Sequence, residues 1–364
     1  MNDVAYFFNR IGEILWVHEQ FEDKLRRLII NWNPPHLPLV NSRGTRHSVW
    51  ALHGDFRSAQ ELKSNGCEPL PHSVIYSDNS ENIGGSFDFV IVGISRCYEQ
   101  NLLFFRLACK VIKQGGIVCV AGPNALGARR LEKEFSRYWD SVESVSKYHG
   151  RFFWSSAPKT DAETILAEWA KESSNRVLEP GGFITSPGNF CWKGFDRGSE
   201  LLIRTLIEGG HLQRMGGVGA DLGAGYGFIT KSILKCRDFE KIVLVESDRW
   251  ALDNSERNIP DARVRFSWSD IRMLAGNLNI LLKGVEQNLQ WVVMNPPFHE
   301  ISGKVSLELG LSFFSVAHSL LGPGGSLFWV ANEHLPYMSE VKGKFRKVAV
   351  IGRDPHFLVG HALK

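Results

Sequence analysis

The run Asn295-Pro296-Pro297-Phe298-His299 follows four buried-strand residues, Trp291-Val292-Val293-Met294. Each proline removes an N–H donor and fixes φ, so the chain must leave the strand in one rigid shape. Such a turn can aim two acceptors, the Asn295 side-chain oxygen and the Pro296 carbonyl, at one exocyclic NH2 group. Held that way, the nitrogen keeps its lone pair directed at a methyl donor, and Phe298 can stack on the ring that carries it. The plainer reading, an Asn-Pro turn with a core phenylalanine, needs a second site to decide against it.

That second site lies upstream. Val218-Gly219-Ala220-Asp221-Leu222 is an apolar strand pattern, and Gly223, Gly225 and Gly227 follow at alternate positions before a helical pattern. Glycine lets the backbone turn sharply and approach a ligand, and the helix aims its positive end at the same place. The spacing differs from G-x-G-x-x-G and there is no G-K-[ST], which counts against dinucleotide and ATP sites. Lys241 to Val245 is a second strand pattern, ending in Glu246, where a carboxylate can hold a ribose diol. Arg263 to Trp268 is a third, running into Ser269-Asp270, whose carboxylate can accept from an adenine amino group. Four successive strands would thus bring a glycine loop, Glu246, Asp270 and Asn295 to the carboxyl edge of one parallel sheet, the edge at which ligands bind.

This order of groups resembles the class I S-adenosylmethionine-dependent methyltransferases. More closely, the chain is similar to the ribosomal RNA small-subunit methyltransferase C family, which methylates guanine N2. The closer resemblance rests on Ser186-Pro187-Gly188-Asn189-Phe190 with Asp196 and Gly198-Ser199, on Asp221-Leu222-Gly223-Ala224-Gly225, on Asn295 to His299, and on Val330-Ala331-Asn332 with Leu335-Pro336-Tyr337. It covers residues 180–364 well and the first half more faintly. One departure is Ala224, where the family usually has cysteine. The resemblance implies S-adenosylmethionine as cofactor, held by Asp221, Gly223, Gly225, Gly227, Glu246 and Asp270. Asn295, Pro296 and Phe298 would be catalytic, His299 would contact substrate, no metal would be needed, and ribosomal RNA or a ribosomal subunit would be the partner of a monomeric cytoplasmic enzyme. Two other classes share these features in part: an N-methyltransferase for a small molecule or protein amide, and a non-catalytic RNA-binding assembly factor.

The elements around these groups fit one α/β domain. Arg197 to Glu208 and Val305 to Leu321 read as helices, Ser326 to Ala331 as a buried strand, and Lys347 to Gly352 with His356 to His361 as a closing hairpin. The first half repeats part of this pattern. Ser86 to Gly93 parallels Leu289 to Asn295, and Gln114 to Gly122 parallels Pro323 to Ala331, but Gly93-Ile94-Ser95-Arg96 stands at the turn and no Gly-x-Gly loop accompanies Trp50 to Asp55. The expected architecture is therefore α/β with two tandem Rossmann-like methyltransferase domains. Residues 1–180 form a degenerate copy that recognises substrate or supports the other. Residues 181–364 form the catalytic copy, a parallel sheet ending in an antiparallel hairpin. Asp161 to Asn175 and Glu179-Pro180-Gly181-Gly182 mark the linker region, and Asn124 to Arg130 with Tyr148-His149-Gly150-Arg151 are landmarks of the first copy.

With 364 residues, 43% of them hydrophobic, the chain can bury two cores. No run approaches the ~18 apolar residues of a membrane span. Met1 to Ile30 has apolar residues at helical spacing but carries acids, which reads as an amphipathic helix and not a targeting peptide. Six cysteines without a C-x-x-C pair read as reduced core residues. A net charge of +3 is low for an RNA-acting protein, so contact with phosphates falls to local clusters: Arg129, Arg130, Lys133 and Arg137, and Lys342, Lys344, Arg346 and Lys347.

Overall fold

In a computed structural model the described residues are 25–32, 48–75, 87–159, 162–274, 289–297, 299–301 and 304–364, the side chains of Ala157, Arg214, 299–301 and 304–306 excepted. The chain forms two compact units, Met1–Ser174 and Asn175–Lys364.

The second unit begins with a hairpin of Arg176–Leu178 and Phe183–Thr185 and is built on a seven-stranded sheet. Labelling strands in chain order across both units, the first contains β1 (Arg26–Ile30), β2 (Ser48–Leu52), β3 (Glu68–Pro69), β4 (Phe87–Gly93), β5 (Ile112–Pro123), β6 (Trp139–Asp140), β7 (Glu143–Lys147), β8 (Gly150–Ser155) and β9 (Ala157–Pro158). The second contains β10 (Arg176–Leu178), β11 (Phe183–Thr185), β12 (Val218–Leu222), β13 (Lys241–Glu246), β14 (Val264–Trp268), β15 (Leu289–Met294), β16 (His299–Ile301), β17 (Lys304–Ser306), β18 (Leu321–Asn332), β19 (Arg346–Arg353) and β20 (Phe357–Leu363). The first large sheet has the order β3-β2-β1-β4-β5-β8-β7, and the second β14-β13-β12-β15-β18-β20-β19. Both have five parallel strands followed by an antiparallel pair. The repeat legible in two strands thus extends to the whole sheet.

The sequence pattern explains the second sheet. β12, β13 and β15 are continuous apolar runs because helices cover both faces. Val292, Met294 and Leu327 pack with Phe314 and Leu320 of the helix Glu308–Leu320, while Val293, Trp291 and Phe328 pack with Leu202 and Leu206 of the helix Arg197–Glu208. Gly310 is where the first of these helices passes Tyr337, since a Cβ there would lie 1.9 Å from the phenolic oxygen.

Three local expectations are corrected. Residues 1–24 lie outside the described residues, but Arg26–Ile30, read as the end of an amphipathic helix, is the interior strand β1, between β2 and β4. Its apolar residues, Leu28, Ile29 and Ile30, are buried on both faces, so helical spacing in a short run misled. The helix expected over Val305 to Leu321 starts only at Glu308, because Lys304–Ser306 pairs with His299–Ile301. The Glu179-Pro180-Gly181-Gly182 punctuation is the turn of the β10–β11 hairpin, with a cis Glu179-Pro180 bond and both glycines at positive φ.

Candidate active site

Register brings the expected groups to one edge of the second sheet. Leu222 on β12 is level with Val245 on β13 and Met294 on β15, so the next residues, Gly223, Glu246 and Asn295, leave the sheet side by side. Gly223, Gly225 and Gly227 have φ of 71°, 58° and 86°, a left-handed backbone that explains the glycines. Gly223 and Ala224 both donate to the Val245 carbonyl, at 2.9 and 3.1 Å. A Cβ on Gly227 would lie 2.7 Å from Ile259, whereas one on Gly225 would enter open space. Gly225 is thus the point at which backbone faces an unfilled region.

Glu246 is pinned beside that loop. One carboxylate oxygen accepts from Gly225 N at 2.7 Å, and the other from Ser247 N at 2.7 Å and Asp248 N at 2.9 Å. Burial raises its carboxyl above the usual range, opposed by those backbone bonds. Asp221, fully buried, accepts from the Thr230 hydroxyl at 2.7 Å through Oδ2, while Oδ1 has no hydrogen-bond partner. Burial pushes its carboxyl up to about 7. An orphaned carboxylate oxygen beneath a glycine loop suits a ligand that brings a cationic donor.

Asp270 is also buried, at the end of β14, but it does not stand ready for a ligand. It accepts from Arg272 N at 2.7 Å and Arg272 Nε at 2.9 Å, and its other oxygen is ion-paired with Arg272 Nη2. An adenine amino group there would have to share the carboxylate with a guanidinium. Phe298 lies outside the described residues, as does the side chain of His299, so neither is placed relative to Asn295.

The Asn295 carboxamide has a defined orientation. Its Nδ2 donates to Asp196 Oδ2 at 2.8 Å and to Ser199 Oγ at 3.0 Å. An ionised carboxylate only accepts, so the nitrogen must face Asp196 and Oδ1 must turn away. Asp196 is itself anchored as the N-cap of the helix Arg197–Glu208, accepting from Ser199 N at 2.7 Å through the same oxygen. These two residues were legible as family landmarks but not as parts of a site. The available signal was capping: Asp196-Arg197-Gly198-Ser199 before an apolar helix predicts a cap, though not what else the cap holds.

The loop before that cap is equally fixed. Asn254 donates to Ser186 Oγ and Asn189 Oδ1, both at 2.7 Å, and Asn258 donates to the carbonyls of Ile184 at 2.9 Å and Tyr226 at 2.8 Å. Two asparagines on the helix Arg249–Asn258, capped by Asp248 just after Glu246, thus tie the Ser186 loop and the glycine loop together. Phe190 stands out from this loop, 64% exposed.

Residues 181–361 match the Methyltransferase small domain family. The ribosomal RNA small subunit methyltransferase C of Shewanella pealeana is 26% identical over 336 residues, covering 91% of this chain and 92% of its own length. The protein of the same name from Hahella chejuensis is 25% identical over 296 residues, covering 80% and 81%. Among solved structures, the T. thermophilus 16S rRNA N2 G1207 methyltransferase, in complex with AdoMet and guanosine, superposes with a TM-score of 0.72 at 22% identity, covering 93% of this chain and 88% of that one. That likeness spans both units and shows the fold.

Proposed function

This chain belongs to the ribosomal RNA small-subunit methyltransferase C family, and we propose that it transfers a methyl group from S-adenosylmethionine to the exocyclic N2 of a guanine in ribosomal RNA. The observation that carries the reading is the Asn295 carboxamide, whose N–H groups are committed to Asp196 and Ser199 so that its oxygen faces an incoming donor. In this reading Gly223, Gly225, Gly227, Glu246 and Asp221 hold the cofactor, with Glu246 on the ribose diol and Asp221 Oδ1 toward the cationic end. Asp270 contributes at the adenine end, shared with Arg272.

The cofactor supplies an electrophilic methyl carbon bound to sulfonium. Guanine N2 is a weak nucleophile because its lone pair is delocalised, and alignment is what the protein adds. Asn295 Oδ1 and the Pro296 carbonyl each accept one N2 hydrogen and turn the lone pair toward the methyl carbon. S-adenosylmethionine bound there would supply the methyl carbon and, as its C–S bond gives way to the new C–N bond, a neutral thioether as leaving group, and the proton released from N2 would pass to water. Phe298 would hold the base out of its stack and His299 would touch it. No metal is required, because the methyl carbon is already activated. Residues 181–364 would be the catalytic domain, and residues 1–180 a degenerate copy that recognises or supports. The protein would act as a monomer in the cytoplasm, where ribosomal RNA is assembled. Among the described residues no helix is long and apolar enough to cross a membrane.

The test is transfer of radiolabelled methyl from S-adenosylmethionine to ribosomal RNA and to small and large subunits, followed by digestion to nucleosides. Label in N2-methylguanosine that vanishes with Asn295→Ala supports the reading. Saturable cofactor binding without label in any RNA would sink it and favour a small molecule or protein amide.

A further inference from the structure

In the first unit, β7 and β8 are joined by two residues, Tyr148 and His149, between the paired Lys147 and Gly150. Their φ values are 49° and 57°. A two-residue hairpin with both central residues left-handed is ordinarily made by Asn-Gly or Gly-Gly, which take that backbone without a Cβ penalty. Histidine tolerates the region better than most residues, but an aromatic tyrosine there is strained by about 1 kcal/mol or more. Tyr148 is nonetheless 41% exposed, and His149 is exposed as well. A turn that spends stability to display two rings invites the question of what the rings meet.

The neighbouring helix answers in charge. His149 O accepts from Asn124 N at 2.8 Å, Asn124 O from Gly127 N at 2.9 Å, and Gly127 O from Leu131 N at 3.0 Å, so the turn is coupled to the start of the helix Ala128–Tyr138. An Arg151–Glu132 ion pair ties β8 to the same helix. Every exposed position of that helix is basic: Arg129, Arg130, Lys133 and Arg137. Its acids are partly buried and paired, Glu132 with Arg151 and Glu134 with Arg137. Arg129 and Lys133 lie four residues apart on one face, and Arg137, next along it, is ion-paired with both Glu134 and Glu168. Arg130 lies flat on Tyr98, 3.7 Å from the ring centroid. Lys147, also exposed, adds a cation beside Tyr148.

We propose that this hairpin tip and helix face form a docking surface for unpaired RNA, with Tyr148 and His149 as stacking platforms for bases and Arg129, Lys133 and Lys147 on the phosphates. Aromatic faces interleaved with cations match the chemistry of a single strand, whose bases are free to stack, better than that of a duplex, which offers phosphates alone. The proposal rests on an RNA substrate, and it gives the degenerate half a positive task.

The test uses the full chain and fluorescence anisotropy with a labelled single-stranded RNA oligonucleotide and its duplex. Tyr148→Gly removes the ring and relieves the backbone, so it separates binding from folding. The expected result is at least ~5-fold weaker binding to the single strand, as for loss of one stacked base, with little change for the duplex and an unchanged or higher Tm. Arg129→Gln with Lys133→Gln is expected to weaken binding and reduce the salt slope of log K by about 1.4, the value for two phosphate contacts on a single strand. Unchanged RNA affinity in both variants, with the wild type binding RNA, overturns this surface alone. Failure of the wild type to bind RNA overturns it together with the RNA reading.

Discussion

The two sheets share a topology and differ at their carboxyl edges, residue against residue. In the first sheet Ile30, Leu52 and Val92 are level, as Leu222, Val245 and Met294 are in the second, so Asn31, His53 and Gly93 stand where Gly223, Glu246 and Asn295 do. Much of the local geometry survives. Asn31 is left-handed, with φ of 52°, and donates to the Leu52 carbonyl at 2.9 Å, as Gly223 does to Val245. His53 accepts from Asp55 N at 3.1 Å, as Glu246 accepts from Asp248 N. What differs is the space and the chemistry. The Asn31 side chain donates to the Gly93 carbonyl at 3.2 Å, and a Cβ on Gly93 would lie 2.2 Å from the Asn31 oxygen, so main chain closes this edge. Burial holds the His53 imidazole down at about 4, leaving a neutral ring where the other half has a carboxylate. The two halves can share a sheet and differ at its edge because strand pairing depends on backbone and apolar packing, whereas the chemistry of the edge depends on the few side chains that stand there.

The comparison can be broken or sharpened by substitution. The largest effect is expected at Asn295: replacement by alanine should lower kcat at least ~100-fold, the scale for losing alignment of a reacting group, while calorimetry still finds cofactor binding. Loss of cofactor binding along with turnover would mean that Asn295 builds the fold of the edge and does not orient substrate.

Glu246→Ala should weaken S-adenosylmethionine binding by roughly 10- to 100-fold, as expected for loss of charge-assisted hydrogen bonds, whereas His53→Ala should leave it unchanged. Equal effects at the two positions would show that the first half also contributes to binding. Gly93→Ala should cost about 1–3 kcal/mol of stability through overpacking, read as a fall in chemical-denaturation midpoint. An unperturbed midpoint would mean that the closed edge readily opens.

The smallest effect concerns pH. The Asp221 carboxyl is raised in the folded state to about 7, from 3.8. Between those values the folded state keeps a proton that the unfolded state has released, so the contribution of this group to stability falls as pH rises across the window. The slope is at most about 1.4 kcal/mol per pH unit. Asp221→Asn should flatten that part of the pH–stability profile, and an unchanged profile would place the titration elsewhere.

Much of this was legible in the chain. Strands β12, β13 and β15 follow from largely apolar runs and β14 from the alternation Val264-Arg265-Phe266-Ser267-Trp268, and the glycine loop, Glu246 and Asn295 follow from their position at strand ends, because the order of strands along a parallel sheet is tied to chain order and handedness. The helix Arg197–Glu208 was equally clear from its apolar face and cap. Less was legible in the first half, where the glycines that punctuate a βα turn are absent: β1 reads as part of a helix, and its partner residue Asn31 carries no motif.

The amino-acid sequence by itself determined which residue types reach one edge, since that depends on local patterning and on strand order. Only the tertiary structure decided which of them are poised. The Asn295 carboxamide is oriented by Asp196, 99 positions away, and the first edge is shut by Asn31 against Gly93, 62 positions away. Hydrogen-bond partners distant in sequence leave no periodicity to read, because each rests on one contact in three dimensions and not on a repeating pattern along the chain.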